Sequence, residues 1–158
     1  TGWFADLTSL ETLGDKLQAD AGMQTLVSQG TNLTDGSLDD GLFQPITGEP
    51  DAANLAQYVS GATAVIAAGS TERAMGVGAE IAQKAEAITG LTTMFGSSLT
   101  GPFGGVGWLT GYPDLAAMEK AQVALAGDPS WLKLIDSTKG CFVEDPAVSQ
   151  TTIYRTLT

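Results

Sequence analysis

Few side chains in this sequence are reactive, and their arrangement limits the reactions open to them. The chain has no histidine and one cysteine, Cys141, next to Phe142. A proximal-histidine haem, a histidine-based zinc or iron site, and a Ser–His or Cys–His nucleophile pair all need an imidazole, so each is closed unless another chain supplies one. Without a base to activate it, Cys141 reads as a small core residue. Asp114 with Glu119, and Glu144 with Asp145, are the carboxylate pairs that acid–base catalysis would call on. The first pair is spaced off a common helix face and the second lies in an expected loop, so neither converges on one atom. Asp35-Gly36-Ser37-Leu38-Asp39-Asp40 has the look of a calcium loop, but its glycine comes too early and Ile46 stands where a bidentate glutamate belongs. It reads as a solvated acidic loop. Gly101-Pro102-Phe103-Gly104-Gly105 lacks the lysine of a phosphate-binding loop and reads as a hairpin connection. Thr1 could serve as a nucleophile with its own amine as base if the chain is a cleaved precursor, although nothing in the sequence supplies the expected partners.

Aromatic residues remain. Trp3 and Trp108 each follow a glycine, in Gly2-Trp3 and Gly107-Trp108. Each can fill the junction between a sheet and its helices. The functional alternative has one of them lining a cavity between two sheets, where a planar apolar molecule would stack, with Tyr112, Asn54 and Tyr58 as polar handles at the mouth. These five residues are the candidate ligand-binding set; no catalytic residue and no metal ligand is assigned.

Charge narrows the partners. Among 158 residues, 18 are acidic and 7 basic, for a net charge of -11, and the basic ones are dispersed. Phosphate backbones and anionic membrane surfaces are repelled by such a chain, so neither nucleic acid nor membrane is expected as a partner. No apolar run approaches the ~18 residues of a membrane span, and no basic-then-apolar leader opens the chain. The lone cysteine suits a reducing compartment, which points to the cytoplasm.

The framework carrying these residues repeats. Gly2-Trp3-Phe4-Ala5-Asp6-Leu7 recurs, diverged, as Gly107-Trp108-Leu109 through Asp114-Leu115. Ala19 to Val27 matches Gly127 to Ile135, and Gly41-Leu42-Phe43 matches Gly140-Cys141-Phe142. Each copy reads as a strand, a helix, a second short helix after an interruption, and a closing strand. In the first copy these are a strand at Gly2–Ala5, a helix capped by Ser9 with Leu10, Leu13 and Leu17 on one face, then Met23, Leu26 and Val27, and a strand at Asn54–Val59. In the second they are Val106–Thr110, a helix capped by Asp114 with Leu115, Met118, Val123 and Leu125 inward, then Trp131, Leu134 and Ile135, and a strand at Ser149–Leu157. Between the copies, Ala62–Ala68 reads as a strand, Ser70–Thr89 as a helix ending at Gly90, and Leu91–Phe95 as a strand. Residues 60–158 therefore spell β-α-β-β-α-β, the ferredoxin-like order.

With Leu99-Thr100-Gly101-Pro102-Phe103-Gly104-Gly105-Val106-Gly107-Trp108 followed by Leu115-Ala116-Ala117-Met118-Glu119, the chain resembles the dimeric α/β-barrel superfamily, in particular uncharacterised bacterial members. The resemblance implies an α+β fold of tandem ferredoxin-like units packed sheet on sheet. Residues 1–59 would be the C-terminal half of a first unit and residues 60–158 a complete second one. It also implies that an upstream segment, a second chain or a homo-oligomer completes the first sheet, whose edges would otherwise stand unpaired. Two functional readings follow: a cofactor-free monooxygenase-like protein that binds or transforms a small apolar or aromatic molecule without haem or metal, or a non-catalytic structural or interaction module within a larger assembly.

Overall fold

A computed structural model describes residues 4–30, 41–49 and 56–156, which fall into two compact units, Thr1–Asp39 and Asp40–Thr158. The N-terminal unit is a helical hairpin of α1 (Leu7–Ala19) and α2 (Ala21–Gly30). The C-terminal unit runs β1 (Phe43–Thr47), β2 (Tyr58–Val65), α3 (Thr71–Thr89), β3 (Thr93–Ser98), β4 (Gly105–Tyr112), α4 (Leu115–Gly127), α5 (Pro129–Ser137) and β5 (Gln150–Arg155). Its sheet has the order β1-β3-β4-β2-β5, with every pairing antiparallel. From β2 onward this is the expected ferredoxin-like order. The added strand is β1, which extends the β3 edge.

Several boundaries differ from the sequence reading. The strand expected at Gly2–Ala5 lies partly outside the described residues, and its described end, Phe4–Ala5, is not strand. Helix α1 starts earlier than expected because Asp6, not Ser9, is its cap: Asp6 Oδ1 accepts the Ser9 N–H at 2.7 Å. An aspartate in extended backbone satisfies an open donor of the first turn while adding a favourable negative charge there. Asn54 and Leu55 lie outside the described residues, and Tyr58 and Val59 open β2 instead of ending a separate strand. β2 ends at Val65, after which Ile66 makes an isolated bridge to Phe142. Ser70 sits at the α3 N-cap without a capping hydrogen bond. Its Oγ instead donates to the Gly140 carbonyl at 2.9 Å, tying the α3 start to the chain after α5. Gly90 ends α3 in the left-handed conformation, φ 70°, as expected of a glycine stop.

Strand alternation places one face of the sheet under the helices. Phe95, Val106 and Ala64 meet Ala82 of α3 there, with Trp108 and Phe142 packed alongside. Phe95 and Cys141 are fully buried. Gly78 makes the fit possible, since a Cβ there would lie 2.5 Å from Phe95 Cε2. On α4 the buried residues are Met118 and Ala121. Leu115 and Val123, expected inward, are exposed, because a helix on a sheet hides a narrow stripe.

The two helical pairs are built alike. Each first helix has thirteen residues, and each is capped by an aspartate, with Asp114 Oδ1 accepting the Ala117 N–H at 2.7 Å. Each ends on a second aspartate that caps the next helix: Asp20 Oδ1 accepts the Met23 N–H at 2.8 Å, and Asp128 Oδ1 the Trp131 N–H at 3.0 Å.

Candidate functional site

Register fixes which chemistry-bearing side chains meet. Tyr58 stands opposite Tyr112 on β4 and opposite Arg155 on β5; two residues along, Ser60 stands opposite Thr110 and Ile153. Because strand side chains alternate faces with period two, all of these lie on the helix side of the sheet. Tyr112 is buried against Met118 and Ala121, with Tyr58 and Leu91 packed on the same cluster. The Tyr112 hydroxyl and Ser60 Oγ are 3.1 Å apart, and Thr93 Oγ1 and Thr110 Oγ1 are 2.9 Å apart one strand further in. The Arg155 guanidinium lies over the Tyr58 ring, 5.9 Å from its centroid. Outward of these groups the sheet is open: every residue of β5 is exposed, including Ile153 at 54%.

The arrangement combines a hydroxyl pair that can donate or accept, a tyrosine face, a cation and the exposed Ile153. Such groups can exchange hydrogen bonds with a polar substituent and favour an anionic one.

The structure brings together two of the five residues chosen from sequence, Tyr58 and Tyr112. Trp3 and Asn54 lie outside the described residues. Trp108 sits on the same face of β4 but is packed into the core. Its Nε1–H donates to the Gly78 carbonyl at 2.8 Å, and its ring lies 5.3 Å from Phe95 and 5.7 Å, edge-on, from Phe142. It therefore fills the sheet–helix junction and does not line a space between sheets. The face away from the helices is paved with glycine instead. A Cβ on Gly96 or Gly107 would meet the Phe43 ring at 2.8 and 3.4 Å, and one on Gly61 would meet Leu109 at 3.2 Å. Ser60 and Arg155 were missed. The only sequence signal for them was their parity with Tyr58 and Tyr112 once the strands are paired, and pairing is a tertiary fact.

Another recess lies within the N-terminal unit, a groove of about 560 Å³ lined by Leu17, Gln18, Met23, Gln24, Val27 and Ser28. It carries no ionisable side chain.

No family model matches the chain, and no curated protein does. Solved structures match. A NIPSNAP family protein from Agrobacterium tumefaciens is 21% identical and superposes with a TM-score of 0.51 over 61% of this chain and 90% of its own. A protein from Fusobacterium nucleatum, assigned provisionally as a monooxygenase, is 9% identical with a TM-score of 0.59; the likeness spans 95% of this chain and 64% of that one. A Deinococcus radiodurans protein, assigned provisionally to antibiotic-biosynthesis monooxygenases, is 18% identical with a TM-score of 0.49 over 64% and 93%. At these identities the likeness is one of fold. The chain has a ferredoxin-like α+β fold.

Proposed function

We propose that the C-terminal unit binds, and in the manner of a cofactor-free monooxygenase transforms, a small apolar aromatic molecule laid over the helix-side ends of β2, β4 and β5. The observation that carries this reading is the convergence of Tyr58, Ser60, Tyr112 and Arg155 beside an uncovered stretch of β5. Tyr112 and Ser60 would orient a carbonyl or hydroxyl, Arg155 would favour its anionic form, and Tyr58 would stack. The name given to the Fusobacterium protein is in keeping with an oxygenase, but a shared fold does not transmit a reaction. Titration with 1,4-dihydroxynaphthalene, followed by tryptophan fluorescence under nitrogen and by oxygen uptake in air, tests the proposal. Saturable binding that weakens about tenfold in Arg155→Gln and Tyr112→Phe supports it; no saturation below about 1 mM, outside the usual range for a physiological substrate, contradicts it.

A structural or interaction module is the second reading, favoured by the filled core around Phe95 and by the glycine paving, which suits close approach of another backbone. Thr1, weighed from sequence as an N-terminal nucleophile, lies outside the described residues. We further propose that the matching caps of α1–α2 and α4–α5 descend from an internal duplication, with residues 1–59 as the C-terminal half of a first ferredoxin-like unit and residues 60–158 as a complete second one. The first sheet would then be completed by strands from outside these residues, in a cytoplasmic protein.

A further inference from the structure

The N-terminal hairpin has an apolar face and no buried residue. Neither α1 nor α2 has a fully buried residue, and Leu13, Leu17, Met23, Leu26 and Val27 are 37–64% exposed. Its counterpart shows what such a hairpin is for. Aligned on their caps, Asp6 with Asp114 and Asp20 with Asp128, the two pairs match residue for residue. Leu10, Leu13 and Leu26 then take the places of Met118, Ala121 and Leu134. Those three are the buried residues of α4–α5, at 4, 5 and 9% exposure. Met118 and Ala121 cluster with Tyr112 of the sheet, and α5 packs on α3. The apolar pattern has been kept at the positions that a sheet and a third helix cover in the C-terminal unit. Of the matched positions Leu13 and Leu26 are exposed and Leu10 is half-buried; exposed aliphatic side chains have no solvent role, and a contiguous patch of this kind marks an interface.

We propose that α1–α2 is the docking surface for a β-α-β segment built like Tyr58–Ser98 and joined to this chain on its N-terminal side. Its strands lie against Leu10 and Leu13, and its helix lies against Leu26 and the groove at Met23 and Val27. A second copy of the chain is a poorer occupant, because its own β2-α3-β3 already carries α4–α5. The longer Fusobacterium protein accommodates 95% of this chain and has further residues beyond the match. This inference rests on the duplication and is independent of the ligand proposed over β5.

The test is amide hydrogen exchange with backbone chemical shifts, on the natural gene product carrying its upstream region and on the 158-residue chain. In the longer protein, residues 7–30 should exchange at least about a hundredfold more slowly than in the 158-residue chain, approaching residues 115–137. Leu13→Lys with Leu26→Lys should abolish that gain while leaving 115–137 protected. Helical shifts over 7–30 with exchange that stays fast in the longer protein would overturn the docking and keep the duplication. Non-helical shifts there would overturn both. Protection that rises with concentration in the 158-residue chain would assign the surface to a second copy, and a gene whose start codon immediately precedes the Thr1 codon would rule out the occupant named here.

Discussion

Replacing Gly78 by alanine adds one methyl to α3 at the point where the helix meets the sheet. In a helix exposed to water this change stabilises, because alanine exceeds glycine in helix propensity by up to ~1 kcal/mol. Gly76, two residues earlier, is exposed, and a Cβ there meets nothing within 4 Å. Gly76→Ala should therefore stabilise by about 0.5–1 kcal/mol. At Gly78 the new Cβ would lie 2.5 Å from Phe95 Cε2 and 3.0 Å from Cε1, well inside the ~3.5–4.0 Å of a carbon contact. Phe95 cannot swing away: it is fully buried and backed by Trp108, 5.3 Å between ring centroids. Overpacking of this kind costs about 1–3 kcal/mol. Sliding the helix outward instead would stretch the Trp108 Nε1–H hydrogen bond to the Gly78 carbonyl, worth about 0.5–1.5 kcal/mol. After the propensity gain of about 0.5–1 kcal/mol, Gly78→Ala should destabilise by up to ~2.5 kcal/mol, opposite in sign to Gly76→Ala. Urea denaturation followed by tryptophan fluorescence measures both. Phe95→Leu removes the clashing ring edge, so the Gly78→Ala/Phe95→Leu cycle should show a favourable coupling of at least ~1 kcal/mol. Equal stability of the two alanine variants would rule out the packing of α3 on β3 described above.

Gly107→Ala should destabilise as well, by about 1–3 kcal/mol, because its Cβ would meet the Ala62 carbonyl oxygen at 2.9 Å and the Phe43 ring at 3.4 Å; thermal unfolding reads the loss. Asp114→Ala should cost about 0.5–2 kcal/mol through the lost α4 cap, seen as a lowered urea midpoint. Acid should loosen the capped helices. The Ser9 N–H bonded to Asp6 and the Ser130 hydroxyl bonded to Asp128 hold both carboxyls below the ordinary 3.8. The unfolded chain takes up these protons first as pH falls, so the stabilisation present above 3.8 is lost below it. Circular dichroism should show that loss in the native protein and less of it in Asp6→Asn/Asp128→Asn, whose amides still cap.

Helix positions and the order of elements were legible because they rest on local signals. Asp114 precedes an apolar stripe, Gly90 closes a long amphipathic run, and Gly101, Gly104 and Gly105 mark the β3–β4 connection as a hairpin, with Gly101 and Gly104 both at positive φ. Strand limits were less so. Tyr58–Val65 is held by partners on both sides, so pairing extends it past the residues whose β propensity is evident. The fifth strand, β1, contains Pro45 and a bulge, features that argue against a strand locally yet are tolerated at an edge. The candidate site was half legible. Tyr58 and Tyr112 draw notice as aromatics, whereas Ser60 and Arg155 are ordinary surface types until register sets them beside the two rings. Trp108 drew notice for the same reason as the tyrosines, but its N–H finds a carbonyl on α3, which makes it part of the core.

A planar aromatic molecule bound on the helix side of the sheet at β2, β4 and β5 should perturb the backbone amides beneath it and spare those of the other face. Titration with 1,4-dihydroxynaphthalene under nitrogen, read by backbone amide shifts, distinguishes the two faces. Saturable shifts are expected at Tyr58, Ser60, Tyr112 and Arg155, with Gly61 and Gly107 on the opposite face moving little. Shifts confined to Gly61, Gly96 and Gly107, or none that saturate, would contradict binding at this site.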